Sequence, residues 1–474
     1  MQRGRPDSAE PLLRRAAELD PANPAVQHDH GLALRALGRL EDALQRFDRA
    51  VDLARQHPTG HYNRGAVLLQ LNRPDEAIQS LTAAIVLKPD LATAYNERAN
   101  ALRALNRPEE AVSDYERAVA LAPQNPTAHV NLGFALQDLG HFERAMECYD
   151  RAIAIAPDCF SAYRSRGTLK LVQGKLPEGF ADYEWRRRSP DAIRNPDLQR
   201  IPYWRGEPLN GKSIVIYDEG AFGDIVQFCR YLPVLARKGA WVKCLMPSRF
   251  HRVLNTSSLG IPSFSILEDA GAVDLRCELL SLPFHLKTTL GAIPPPAAHL
   301  AGEPQLVEYW RAQLPKGTFN VGICWQGNPV RNIDAGRSVP LAEFEPLARV
   351  PGVRLISVQK HHGLDQLESL PPSMHVDTLT AFDEGADAFL DTAAVMESLD
   401  LVVTSDTAIA HLAGTLGRPT WIALRPVPEW RWLLDRSDSP WYPSVRLFRQ
   451  SRPGQWAPVF REMAVALREI VPSA

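Results

Sequence analysis

The sequence predicts a helical solenoid over residues 1–190 followed by an α/β region of two parallel-sheet lobes, 200–300 and 301–474. Three observations predict it. The same residue types return every 34 positions from about residue 25 to 190, the signature of stacked helical hairpins. Near residue 200 that register vanishes, and short β-rich runs begin to alternate with helical stretches. At 474 residues the chain is also too long for one hydrophobic core. A net charge of −2 argues against a nucleic-acid partner, which needs a basic face to displace counterions. No apolar leader opens the chain and no run is long enough to span a membrane. The six cysteines are scattered without a C-x-x-C pair, so reduced thiols and a cytoplasmic location are expected.

Four columns define the repeat. Gly31, Gly65, Ala99, Gly133 and Gly167 form the first, and Ala43, Ala77, Ala111 and Ala145 the second, with Ala9 one step earlier. Phe47, Leu81, Tyr115, Tyr149 and Tyr183 form the third, and Ala50, Ala84, Ala118 and Ala152 the fourth. Small residues let two helices of a hairpin approach, and the large residue fills the groove between them. Pro89, Pro123 and Pro157 close three units, since proline cannot continue a helix. These columns resemble the tetratricopeptide repeat (TPR), with about five units and a partial first one. Such units bury their apolar faces only by stacking, which leaves a concave surface suited to a protein partner. The register makes Ala9 to Pro21 a second helix without its first, so the chain is expected to start mid-repeat. Two residues before the glycine column stand Asp29, Asn63, Glu97, Asn131 and Ser165. In similar TPR arms an asparagine ladder there grips an extended peptide, and that resemblance makes Asn63 and Asn131 the candidate residues of the helical groove for binding a peptide. In FADYEWRRR (180–188) the repeat degrades, and Trp185 with three arginines suggests a buried junction.

Six strands are predicted beyond: KSIVIYD (212–218), WVKCLM (241–246), FNVGICW (319–325), VRLISVQ (353–359), LDLVVTS (399–405) and PTWIAL (419–424). The prolines at 294–296 divide them into two Rossmann-like lobes flanking a cleft, and Trp456 to Ile470 reads as a helix packing back across both. Ligands of such sheets bind at the carboxyl ends of the strands, so the loops there carry the candidate chemistry. DEGAFGD (218–224) brings Glu219 and Asp224 to the cleft, where a helix N-terminus keeps an aspartate ionised and competent as a base. Asp224 acting only as a helix cap is the alternative. In TSDTAIAHLAG (404–414), Ser405 and Asp406 start a helix whose free N–H groups suit a phosphate. Thr407 and His411 share one face of that helix, and Asp406 suits a sugar or ribose hydroxyl. The loop 324–341 carries Trp325, Asn328, Arg331 and Arg337, and an arginine of this loop reaching the cleft would neutralise a diphosphate without a metal. Gln359 and Lys360 follow the next strand and suit a nucleobase or ribose.

In order along the chain stand EGAFGDIVQFCRYLP, SLPFHLKTT (281–289), W-x-G-N at Trp325, R-S-x-P-L at Arg337, SDTAIAHLAG and WRWLLDRSDSPWYPSVRLFRQ (430–450). Together they resemble bacterial TPR glycosyltransferases whose catalytic region is heptosyltransferase-like (family 9-like) with a GT-B fold. The resemblance implies an inverting, metal-independent glycosyltransferase, with a nucleotide sugar as substrate and no cofactor. It implies Asp224 as general base and Arg337 with His411 stabilising the leaving group. Asp406 and Thr407 would hold the donor. Ala221 and Ala408 depart from the glycines common in that group, which bears on the entry loop and on a heptose donor. The leading expectation is transfer to a Ser or Thr hydroxyl of a protein recruited by the helical arm, flagellin being one acceptor that relatives suggest. A lipid-linked or surface saccharide acceptor, or a non-catalytic TPR scaffold, are the alternatives.

Overall fold

A computed structural model describes residues 6–189, 195–256, 260–295, 300–329, 334, 336–385 and 387–472. Arg331 and Pro296 of the expected cleft loop and lobe boundary lie outside these residues. Two compact units divide the chain between Ser165 and Arg166.

The first unit is a run of antiparallel helices: α1 (Pro6–Leu19), α2 (Pro24–Ala36), α3 (Leu40–Leu53), α4 (Pro58–Gln70), α5 (Pro74–Leu87), α6 (Ala92–Ala104), α7 (Pro108–Leu121), α8 (Pro126–Asp138), α9 (Phe142–Ile155) and the start of α10 (Phe160–Val172). The column logic holds at atomic detail. A Cβ on Gly65 would stand 2.6 Å from Leu81 Cγ, and one on Gly133 2.5 Å from Tyr149 Cε1. Phe47, Leu81, Tyr115 and Tyr149 are fully buried, and Phe47, Leu81 and Tyr149 lie directly against Gly31, Gly65 and Gly133. The closing prolines act through the residue before them. Lys88 (φ −143°), Ala122 (φ −135°) and Ala156 (φ −134°) have left the helical region, as a following proline demands. A polar column accompanies the apolar ones, because Arg64 reaches Asp48 (2.6 Å) and Arg98 grips Asp114 through two bonds of 2.7 Å. Among the described residues, no helix is long and apolar enough to cross a membrane.

The second unit begins inside α10 and carries α11 (Leu176–Tyr183) with it. The junction expected at 180–188 is buried at Arg186, which bonds Glu184 (2.7 Å), Glu219 (2.7 and 3.1 Å) and Ser281 (2.9 Å), while Arg188 at its end is exposed. That charge cluster explains why the last hairpin packs with the α/β region. Four parallel strands follow: β1 (Ser213–Tyr217), β2 (Trp241–Leu245), β3 (Ser263–Phe264) and β4 (Leu275–Glu278), in the order β3-β2-β1-β4. A second parallel sheet contains β5 (Phe319–Cys324), β6 (Val353–Ser357), β7 (Val376–Asp377), β8 (Leu401–Ser405), β9 (Thr420–Leu424) and β10 (Val445–Arg449). Its order, β10-β9-β8-β5-β6-β7, reverses direction between β5 and β8, the doubly wound arrangement. The protein is therefore a TPR solenoid followed by an α/β region. β8 and β9 are buried at every position, as parallel strands covered on both faces must be.

The C-terminal helix, Ala457–Ile470, packs into the core of the second sheet, where Phe460 meets Phe344 at 4.4 Å between ring centroids. It was expected across both lobes. Its buried stripe of Val459, Phe460, Met463, Ala464 and Leu467 instead completes its own lobe.

Candidate active site

A cleft of about 980 Å³ opens at the carboxyl ends of β1, β5, β6 and β8, the switch points of the two sheets. It is lined from the first sheet by Gly220 to Asp224. The second sheet contributes Asn328, Arg337, Lys360, Asp406, Thr407, His411, Glu429 and Arg431, among others.

The first wall is the turn after β1 and the helix Phe222–Phe228. Gly220 adopts φ +112°, a conformation reserved for glycine, while Ala221 sits at φ −100°. The alanine there is thus unstrained. Gly223 is required for a different reason: a Cβ on it would lie 3.0 Å from His411 Cδ2, so the two walls touch only because the side chain is missing. Asp224 does not cap the helix. Its carboxylate accepts from Arg431, whose other donors go to Glu429 and to Gln227 Oε1.

On the other wall, Asp406 and Thr407 connect β8 to the helix Ala408–Thr415. Thr407 is the N-cap but makes no side-chain cap bond, because its hydroxyl turns to Thr404 Oγ1 (3.2 Å) and toward Cys324 Sγ (3.9 Å). The first-turn N–H groups are left without a side-chain acceptor, which suits an anion. Asp406 Oδ1 accepts from Trp432 Nε1–H (2.8 Å), while its buried Oδ2 has no hydrogen-bond partner among the described residues. A buried carboxylate oxygen left so demands a hydroxyl or other donor.

His411 stacks on Trp432 at 5.1 Å, and its Nδ1 lies 3.0 Å from the Tyr442 hydroxyl. Burial first, then Arg431, Arg230 and Arg337, hold the imidazole well below its ordinary value, so the ring is neutral. If Tyr442 O–H donates to Nδ1, the Nε2–H becomes the ring's donor. Burial pushes the Glu429 carboxyl up to about 7, against the opposing pull of Arg431. Arg337 lines the cleft with its Nε buried and without a hydrogen-bond partner among the described residues. The cleft therefore sets guanidinium groups and a neutral imidazole beside carboxylates. That combination can hold an oxyanion and accept a proton from a hydroxyl.

Of the candidates read from sequence, Asp224, His411, Asn328, Arg337, Lys360, Asp406 and Thr407 all reach this cleft. Lys360 has its ammonium on the Phe382 carbonyl. Four expectations are corrected. Glu219 is no catalytic group, since both its oxygens are taken by Arg186. Trp325 is fully buried in the core and donates its indole N–H to the Gly363 carbonyl (3.0 Å), so it cannot contact a donor. Ser405 is fully buried at the end of β8, outside the cleft lining. Gln359 touches the cleft, but its amide is consumed in the fold. It accepts from the N–H groups of Trp325 (3.0 Å) and Gln326 (2.9 Å) and donates to the Gln326 carbonyl (2.8 Å).

In the helical unit, Asn63 and Asn131 also spend their amide donors internally, on His28 Nε2 (2.8 Å) and Asn96 Oδ1 (2.9 Å) of the preceding repeat. They tie neighbouring repeats together, and Asn63 is buried. Sequence reasoning missed Arg431 and Glu429 as site residues. The tryptophans around them in PEWRWLL (428–434) were the available signal. Among the described residues, no group of three or more His, Cys, Asp or Glu side chains could hold a metal ion, and all six cysteines are free.

With that geometry in hand, comparison with known proteins identifies the class of the first unit. Family models described as tetratricopeptide repeat match residues 1–58, 28–92, 62–126 and 102–165, so these residues are TPR repeats. Among individual relatives, Protein FlbA of Caulobacter vibrioides is 28% identical over 360 residues, covering 67% of this chain and 58% of that protein. A match of that extent runs past the helical repeats into the α/β region, yet the chain spans less than two thirds of the relative's length. Among solved structures, MamA from Desulfovibrio magneticus is 26% identical, covering 33% of this chain and 89% of that one, with a TM-score of 0.32. PilF of Pseudomonas aeruginosa is 18% identical over 42% of this chain and 91% of its own, with a TM-score of 0.36.

Proposed function

We propose that the chain is an inverting, metal-independent glycosyltransferase of GT-B type, which moves a sugar from a nucleotide-sugar donor to a protein hydroxyl. The TPR repeats would recruit the acceptor. The single observation that carries this reading is the cleft at the two switch points. There Asp224 and the helix N-terminus at Ala408, which has no side-chain cap, line one cleft together with neutral His411, Arg337 and Arg431.

In the proposed reaction the acceptor oxygen bonds to the anomeric carbon as the bond from that carbon to the diphosphate breaks. Asp224 takes the hydroxyl proton, and the nucleoside diphosphate leaves with the electron pair. Arg337, the helix N–H groups and His411 Nε2–H receive the charge that grows on the leaving oxygen. Arg431 is the link between the two sides. A bound diphosphate competes with Asp224 for its guanidinium, and the carboxylate it releases is then free to act as base. Asp406 Oδ2 supplies an acceptor for a donor hydroxyl.

The arm's role is tested by transfer. Polypeptides captured by the full chain are incubated with radiolabelled nucleotide sugars, and label is followed onto the captured chains. Label on a Ser or Thr side chain is the expected result. Label appearing only on lipid-linked or surface saccharide would overturn the protein acceptor while keeping the transferase.

A further inference from the structure

The second unit holds another cavity, of about 530 Å³, walled by the end of the last hairpin, the segment after Pro202, β4 and the short helix Leu282–His285. Among the described residues, its lining contains four arginines, Arg187, Arg188, Arg205 and Arg276, against one carboxylate, Glu184. Two of the four are occupied. Arg187 bonds Glu278 (3.0 Å), and Arg276 donates to the Ile201 carbonyl (3.0 Å) and the Tyr217 hydroxyl (2.8 Å).

Arg188 and Arg205 are different. Both are exposed, and no carboxylate among the described residues pairs with either. Arg188 lies over the Trp185 ring, its guanidinium carbon 3.9 Å from the ring centroid, a cation–π contact that holds the charge at the cavity wall. Among the described residues, the carboxylates near the cavity are engaged by other groups. Glu184 bonds Arg186 (2.7 Å), Glu278 bonds Arg187, and Glu207 accepts from the Arg205 backbone N–H (2.7 Å). Flat rings complete the walls: Tyr203, hydrogen-bonded to His285 at 3.1 Å, and Phe284, which is 37% exposed.

We infer that this cavity is a second anion site, distinct from the cleft, which binds a phosphate group between Arg188 and Arg205. Guanidinium edges match phosphate oxygens two at a time, and the neighbouring rings can also hold the planar part of a nucleoside phosphate. The phosphate therefore has two sources, free phosphate or a nucleotide.

Calorimetric titration of the full chain with inorganic pyrophosphate, at fixed ionic strength, tests it. The expected result is binding that weakens at least about tenfold in an Arg188→Gln, Arg205→Gln double variant, the scale of losing charge-assisted hydrogen bonds. The titrations are also run in the Arg337→Gln chain, where the cleft's own diphosphate binding is weakened and the binding that remains, sensitive to Arg188 and Arg205, reports the second site. No pyrophosphate binding to the unmodified chain would overturn the inference. So would binding lost in Arg337→Gln and kept in the double variant. A parallel titration of the Arg337→Gln chain with a nucleoside diphosphate separates the sources. Tighter binding than pyrophosphate, reduced by Phe284→Ala, assigns a nucleotide, and equal affinity assigns free phosphate.

Discussion

Asp224, Arg431 and Glu429 form the most consequential group at the scale of single residues, because one guanidinium satisfies two carboxylates inside a cleft. Replacing Asp224 by Asn keeps the shape and removes the proton acceptor. On the proposed chemistry, turnover falls by ~10²–10⁴-fold while donor affinity is retained. Nucleotide release and a separate binding titration read the two quantities. Glu429 gives a pH prediction. Its carboxyl is raised from 4.5 to about 7, so the folded state keeps a proton that the unfolded chain has already lost. That contribution is fully present below pH 4.5 and lost as pH rises through 7. A Glu429→Gln variant cannot titrate. Its stability relative to the unmodified chain should therefore rise across that window, measured as urea midpoints at several pH values. A constant difference between the two would remove Glu429 as the titrating group.

The helical hairpin is the element that the sequence describes best, since its contacts are local and its columns repeat. Gly133 and Gly60 make the test. A Cβ on Gly133 meets the buried Tyr149 ring at 2.5 Å, whereas on Gly60 the nearest atom is Val51 Cγ2 at 3.4 Å. Alanine gains up to ~1 kcal/mol over glycine inside a helix, but overpacking costs ~1–3 kcal/mol. Gly133→Ala should therefore destabilise, and Gly60→Ala should be neutral or stabilising, as seen in chemical unfolding of the helical signal. The strands were legible where they are buried on both faces, as in IVIY of β1 and LVVTS of β8. Four were missed. β3 and β7 are two residues long, and β4 (LRCE) and β10 (VRLFR) carry charges that mask the apolar pattern. Site residues were legible where a loop follows a strand, as with Asp224, Asp406 and His411. They were not legible where the fold itself uses the polar group. Gln359 clamps two backbone N–H groups and Glu219 holds Arg186, roles set by partners 33 or more positions away.

For the molecule as a whole, Arg186 anchors the last hairpin to the α/β region through Glu184, Glu219 and Ser281. Removing one member of such a buried ion cluster strands the others. Arg186→Met should cost about 3–5 kcal/mol, and a second change, Glu219→Gln, should recover part of it in thermal unfolding. Additive losses would show that the two groups do not act together. The central claim is that the cleft between the two sheets turns over a nucleotide sugar. It is tested most directly by incubating the full chain with a panel of nucleotide sugars and measuring nucleoside diphosphate release, with water as the default acceptor. The account predicts release from at least one donor, reduced by ~10²–10³-fold in His411→Ala through loss of a leaving-group donor. Neither binding nor release with any nucleotide sugar would contradict it.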